Sequence, residues 1–394
     1  MSLEVALYVN RIPAPELSAM VSEVTVEQTG DGTSRYRLAF ETDIARGDFP
    51  LVNHPRLVPS FAGFDNELAI VLRDGFLYKC LIHGPIEERR FEGRTGGPGS
   101  VLVVTGSDRT VLMDRVDYQR FWVGTEATSV AAIFAFYALV PDVEPTTVLY
   151  DPVGCLLVQS HSDLDFVREC ARRNGFKFWI SSEVVPGAGP PGTTLVDVAH
   201  FRTAPPRARP TAPPLPPLLP QTKVATLRLN SATQSVPGLQ TTTNQMDAPS
   251  NTEVPYVVDG FRLDEFTGAL VRIQMPRVPA NSVPFGALPI EAVAGPRLPP
   301  PSLKFPNAGG VLEAYTRAEA AIADAAFFAQ ASIDTTRAAT NALVVPNTFL
   351  RVEGSGGTHQ GQYWVDEVTH TIDSNCHRMA IRMSRNAQGI GVFR

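Results

Sequence analysis

A mainly β chain with an α/β insert is the fold class this sequence predicts, and three observations carry it. Hydrophobic alternation with period two, punctuated by Gly and Asp, runs from the N-terminus to about Arg115 and resumes between Gln221 and Asn386. Between these tracts a capped helix leads straight into an aromatic strand over Ser162–Ile180. Many of the 34 prolines fall between Pro186 and Pro306, and Pro205–Pro220 is dense enough to be an extended, partly polyproline II connection outside any core.

In the first tract, Val24 and Val26 alternate with Ser22, Thr25 and Glu27. Gly30-Asp-Gly32 supplies a turn, and Tyr36, Leu38 and Phe40 alternate with Arg35, Arg37 and Ala39. That is a hairpin with one buried face. Leu68–Leu72 and Leu77–Ile82 flank Asp74-Gly75, a second hairpin signal, and Val101–Val104 with Thr110–Met113 around Gly106-Ser-Asp108 reads as a third. Several short strands at this spacing favour a small barrel over a parallel sheet.

From Thr125 the pattern changes. Val130, Ile133, Phe134, Tyr137 and Ala138 recur at helical spacing, and Pro141 is the predicted stop. Ser162 is a candidate N-cap, with Asp163 and Asp165 placing negative charge against the helix dipole in the first turn. Leu164, Phe166, Val167, Cys170 and Ala171 make the apolar face, while Arg168, Glu169, Arg172 and Arg173 are expected to face water. Asn174-Gly175 ends the helix, and Phe176, Phe178 and Ile180 alternate with Lys177 and Trp179 as a strand would.

After the proline-rich stretch, strand patterns return at Val224–Leu229, Tyr256–Val258 and Leu270–Ile273, with polar Ser231–Thr252 predicted as a long loop. Gly310–Leu343 is alanine-rich and reads as a helix, with a break marked by Thr335 and Thr340. Tyr363–Ile372 and the Met379, Ile381, Met383 alternation close the chain as a hairpin across Asp373-Ser-Asn375. The predicted organisation is therefore a first barrel over 1–123, an α/β insert over 124–201, a linker over 202–222 and a second barrel over 223–394, with a helix inserted at about 310–343.

With 44% hydrophobic residues and 394 positions, the chain can build two or three cores. A net charge of −6 argues against specific nucleic-acid binding, which calls for a basic face. Cys80, Cys155, Cys170 and Cys376 are scattered, which fits synthesis in a reducing compartment rather than a disulfide framework. Met1-Ser-Leu-Glu-Val-Ala-Leu has no basic n-region, and Val130–Val140 is too short to span a bilayer, so a soluble chain made in the cytoplasm is expected.

No nucleophile elbow, His-Glu-x-x-His pair or phosphate-binding Gly-Lys loop occurs. Gly93–Gly99 is glycine-rich without the lysine of a phosphate cradle, and Gly354–Gly361 around His359 reads as a hairpin tip. His370 alternates in phase with Val368 and Ile372, so a packed strand histidine is preferred over a metal ligand shared with His377. Arg89-Arg90 and Arg207/Arg209 read as solvated basic residues. Phe121, Trp122, Phe176, Phe178 and Trp179 fit either the core of the insert or a subunit interface. No catalytic, cofactor-binding or metal residues are assigned, and no cofactor is expected.

The order Ser162-Asp-Leu-Asp-Phe-Val-Arg followed by Asn174-Gly-Phe-Lys-Phe-Trp resembles a signature of the phage tail hub family, which includes late control protein D and the N-terminal half of VgrG proteins. Tyr118-Gln-Arg-Phe-Trp-Val-Gly-Thr125 upstream is similar to the same family. So are Gly361–Ile372 and Met379–Asn386, which resemble the closing hairpin of its second barrel. The resemblance implies two tube-like barrels per subunit and a homotrimer in which six barrels form a pseudo-six-fold ring. Its partners would be a hexameric inner tube, a trimeric spike and other baseplate components, around a channel. Because Arg394 follows closely on the final hairpin, the spike is expected to be a separate protein. The resemblance implies assembly into a phage tail or injection-system particle without membrane insertion and without enzymatic activity. The alternative, a tail-associated hydrolase or carbohydrate-binding module, would need carboxylates or histidines clustered on facing strands, and the sequence does not present them.

Overall fold

The computed structural model describes residues 4–42, 54–61, 64–74, 77–94, 99–152, 156–186, 193–205, 225–229, 240–243, 258–264, 267–275, 284–289, 311–355, 357, 359–374 and 376–389. The first tract holds β1 (Glu4–Val9), β2 (Ile12–Pro13), the short helix α1 (Pro15–Ser18), β3 (Val21–Thr29), β4 (Arg35–Thr42), β5 (Ser60–Phe61), β6 (Phe64–Asp65), β7 (Glu67–Asp74), β8 (Leu77–Glu92) and β9 (Ser100–Ser107). The middle holds β10 (Arg120–Trp122), β11 (Gly124–Thr125), α2 (Glu126–Phe136), β12 (Val140–Val143), β13 (Leu149–Tyr150), β14 (Leu157–Gln159), α3 (Asp163–Asn174), β15 (Lys177–Pro186) and β16 (Thr193–Arg202). The last part holds β17 (Ala225–Arg228), β18 (Gln240–Thr243), β19 (Val258–Leu263), β20 (Leu270–Met275), β21 (Leu288–Pro289), α4 (Val311–Ala325), β22 (Ala329–Thr336), α5 (Arg337–Thr340), β23 (Phe349–Glu353), β24 (Gly361–Asp373), β25 (His377–Arg385) and β26 (Ala387–Gln388).

The mainly β expectation holds, but the described strands close no barrel. Thirteen of them form one sheet in the order β18-β22-β25-β24-β3-β4-β9-β8-β7-β1-β2, with β17 and β23 branching from β24. The two β tracts meet because β24 is long and irregular. Its first residues pair with β23, and beyond the shift at Val365/Glu367 its remainder pairs antiparallel with β3, placing Thr369 opposite Glu27 and His370 opposite Val26. Further register shifts at Val21/Glu23, Ile70/Val71 and Ile86/Glu88 bend the sheet. Each tract consequently wraps its own core. Val24, Val26, Leu38, Phe40, Leu68, Ile70 and Leu102 fill one, and Leu227, Leu350, Val352, Val368, Met379, Ile381 and Met383 fill the other, with Leu343 packed against both. At about 25 cal/mol per Å² of apolar surface, these two cores are the main stabilising term of the sheet.

Four local expectations are corrected. Arg109–Asp114 is a 3₁₀ helix rather than a third hairpin strand, because Asp108 caps it by accepting the Thr110 N–H at 3.0 Å. Helix α2 stops at Tyr137, ahead of Pro141, where Ala138 takes φ 53°, and Pro141 lies within β12. The helical reading of 310–343 holds for Val311–Ala325 and for the single turn α5, but not between them. There, Ala329, Ala331, Ile333 and Thr335 are buried in alternation as the strand β22, where small inward residues suit a crowded sheet face. Finally, Gln240–Thr243, inside the predicted Ser231–Thr252 loop, pairs with β22 as an edge strand. The linker expected beyond Pro205, the tips at Gly75, Gly96 and Asn375, and most of Ser231–Thr252 lie outside the described residues. Among the described residues no helix is long and apolar enough to cross a membrane.

Candidate assembly surface

The middle segment is built around two capped helices. Thr125 accepts the Thr128 N–H at 3.3 Å while Thr128 Oγ1 takes the Thr125 N–H at 3.1 Å, a reciprocal cap for α2. Ser162 accepts the Asp165 N–H at 3.2 Å and donates to Asp114 at 2.8 Å, and Gly175 closes α3 at φ 65°. Phe166 stacks on Trp122 with centroids 6.0 Å apart, and Phe134 on Phe178 at 5.4 Å. Of the expected water-facing residues of α3, only Arg172 is exposed, because Arg173 pairs with Glu169 and with buried Glu126, and Arg168 donates to Thr33. Asp163 does more than oppose the dipole. It is buried and accepts from Arg120, Gln159 and the Tyr137 hydroxyl, tying strands β10 and β14 to both helices.

A buried ion network fixes this segment to the first β tract. His83 Nδ1 lies 2.9 Å from Asp197 Oδ1, and its Nε2 lies 3.4 Å from Glu67. Arg109 bridges Glu67 at 3.1 Å and Asp197 at 3.0 Å, and Ser182 donates to Asp197 at 2.6 Å. Arg11, held at φ 64° in the β1–β2 turn, reaches Asp197 at 3.0 Å. Burial alone would push the His83 imidazole down, but the Asp197 and Glu67 carboxylates outweigh it and hold it above its ordinary value. Burial would likewise raise Asp197, yet His83, Ser182 and Arg109 bring it well below the usual carboxylate range. The His83 and Asp197 side chains are both fully buried and the Ser182 hydroxyl donates to the carboxylate rather than to the imidazole, so the arrangement acts as a clamp. Sequence reading missed it, although Asp197 stands in phase with Leu195, Ala199 and Phe201 on a buried strand face, which marks a polar residue needing partners.

On the outside of the same segment lies the candidate site. The β10–β14 ribbon turns Trp122 and Leu157 inward, where the Trp122 indole donates to Gln159 at 2.9 Å. Phe121 and Val158, directly opposite each other, are 71% and 50% exposed. Val123 and Leu149 continue the exposed apolar set at 60% and 68%. Exposed apolar clusters of this kind mark interaction surfaces in soluble proteins. Of the aromatics considered for an interface, Phe178 is core, Trp122 and Phe176 pack against that core, Trp179 stacks on His200 at 4.6 Å, and Phe121 alone projects into solvent.

The final hairpin has the faces predicted for it. Met379, Ile381 and Met383 are buried, while Arg378 and Arg382 are exposed and pair with Asp373 at 2.9 Å and Glu367 at 3.0 Å. Across the seam the outward row continues from Asp334 through Ala380, Thr369 and Glu27 to Arg35, a polar surface shared by both tracts. His370 packs inside as expected, with His377 beside it at 3.0 Å. A cleft of about 880 Å³ separates α3 and α4 above Trp364 and Asp366, and its charged residues are largely paired, as Lys177 is with Asp366 at 3.3 Å. Among the described residues no three His, Cys, Asp or Glu side chains converge as a metal site.

No protein-family model matches the sequence, and no curated protein matches it significantly. Solved structures do match in fold. The tail protein from Neisseria meningitidis MC58 aligns over 98% of this chain and 97% of its own at 13% identity with a TM-score of 0.58. The 43 kDa tail protein of prophage MuSo2 from Shewanella oneidensis aligns over 98% and 100% at 10% identity with a TM-score of 0.60. The E. coli c3393 protein, a type VI secretion component described as similar to T4 tail proteins gp27 and gp5, aligns over 100% of this chain and 79% of its own at 12% identity, TM-score 0.51. At these identities the likeness is one of fold. It agrees with the tail hub resemblance of the sequence blocks at Tyr118, Ser162 and Gly361.

Proposed function

We propose that this chain is a structural hub of a phage tail or contractile injection particle, three copies of which form a ring between a hexameric inner tube and a trimeric spike. The observation that carries the reading is the likeness of fold to tail proteins over 98% of the chain. Two cores under one sheet supply two β bodies per copy, so three copies present six to a six-fold tube. In this reading each contact joins the first β body of one copy to the second of the next, a heterologous contact that closes at three. The Phe121–Val158 ribbon is an apolar anchor for a neighbour in the baseplate, and the polar sheet face with Arg378, Arg382 and Glu27 suits a wetted channel wall. A net charge of −6 favours passage of cargo over its retention. The role is non-enzymatic and uses no cofactor. Light scattering of the purified chain tests the assembly, with a mass three times that of one chain as the expected result and a strict monomer at high concentration as the contrary one.

A further inference from the structure

The seam where the two β tracts join is built on a pair of buried imidazoles. His370 of β24 is 0% exposed and His377 of β25 is 7% exposed. His370 Nδ1 lies 3.0 Å from His377 Nε2, and His370 Nε2 lies 3.0 Å from Gln28 Oε1 of β3. The Gln28 amide is oriented by its own donation to the Leu81 carbonyl of β8, so Oε1 faces His370 as an acceptor. His370 must therefore carry its proton on Nε2. With no carboxylate against it, the ring is neutral, and its Nδ1 accepts from His377 Nε2–H. That leaves His377 Nδ1 as a buried lone pair without a hydrogen-bond partner. The chain Leu81–Gln28–His370–His377 thus crosses from the first tract to the second through the His370 Nε2–H bond to Gln28 Oε1, and then joins β24 to β25 through one N–H···N bond, which requires an unprotonated acceptor.

We infer that this pair is an acid-sensitive latch of the β24–β25 hairpin where it borders β3, closed while both rings are neutral and released when they take up protons. The first proton has one vacant position, His377 Nδ1, where it meets no acceptor. The second must go to His370 Nδ1, which sets two N–H groups against each other and ends the bond. The charges acting on the rings all oppose protonation. Burial and then His377 push His370 down to about 3, and burial and then Arg337 of α5 push His377 down to about 4. Nearby Asp373 is engaged by the Cys376 N–H and by Arg378, and β3 turns Glu27 to the opposite face of the sheet. The sign follows. Both folded values lie below the ordinary 6.5, so the closed hairpin binds fewer protons than the opened one and weakens as pH falls below 6.5.

Hydrogen exchange of the intact chain between pH 7.5 and 4.5, corrected for intrinsic rates, tests this inference without reference to assembly. Protection of Gly361–Asp373 and His377–Arg385 should fall toward about 100-fold per pH unit below 6.5, the slope of two protons per opening, ahead of β15 and β16. His377→Gln should reduce that slope to about 10-fold per unit, and His370→Gln with His377→Gln should remove it. If the double variant fails to fold, the single variant and the slope of the parent chain still decide. Protection of the hairpin that is flat across this range, a slope unchanged in His377→Gln, or loss only together with β15 and β16 would each overturn the latch.

Discussion

At the scale of single residues, burial and pairing decide what each side chain contributes. Phe166 is 1% exposed and stacked on Trp122, so Phe166→Ala should cost about 3–5 kcal/mol, whereas exposed Arg172→Ala should change stability by less than about 0.5 kcal/mol. Thermal or denaturant melts of the two variants check the assignment of the α3 faces, and equal small effects would contradict it. Asp197 is the more demanding position. Asp197→Ala leaves His83 and Arg109 with Glu67 as their one shared anion, and a loss of about 3–5 kcal/mol is expected. The milder Asp197→Asn probes its pH signature. His83 is held above its ordinary value, so its contribution is full below 6.5 and fades as pH rises through the folded value. The stability difference between the parent chain and Asp197→Asn should therefore shrink from pH 6 to pH 9. A difference that grows over that range would refute the charged clamp.

At the scale of elements, the exposed ribbon makes the cleanest separation between folding and assembly. Phe121 and Val158 lie outside the core that Trp122 and Leu157 complete, so Phe121→Ser with Val158→Ser should leave the melting temperature nearly unchanged. The same double variant should weaken association by at least tenfold, read by light scattering over a dilution series; association as tight as that of the parent would remove the ribbon from the interface. The elements also show what a sequence discloses. The α3 unit was legible because Ser162, Asn174-Gly175 and the apolar spacing are local signals that act within one turn. The final hairpin was legible because its alternation is strict. Strand β22 was not, since its alanines satisfy helix propensity and only pairing with β25 and β18 selects the strand. The Asp108 cap was hidden for a related reason, as a β-branched run at Thr110–Val111 suggests a strand unless the preceding side chain is seen to turn back. The ribbon was half legible, because sequence pairs Phe121 with Trp122 as aromatics but does not say which of them faces out.

At the scale of the whole molecule, the seam is the feature that no local pattern announces. Gln28 and His370 stand 342 positions apart, yet they meet because β24 pairs with β3 and makes one sheet of two tracts. That continuity suits a ring component, since load applied to either β body passes through backbone hydrogen bonds to the other. The outward arginines of the final hairpin test how the sheet face is used. Arg378→Glu with Arg382→Glu would oppose Asp373 and Glu367 with like charge, a small cost for pairs this exposed, leaving a folded chain. Particle assembly or cargo passage should nevertheless fall if that face meets the channel or a neighbouring copy, and unimpaired particles would place it elsewhere. The hub reading itself is tested most directly by cryo-electron microscopy of the particle that contains this chain. The account predicts density for three copies in a ring between the six-fold tube and the spike, with the two β bodies of each copy alternating around the axis. Density for this chain at any other position or with any other symmetry would contradict it.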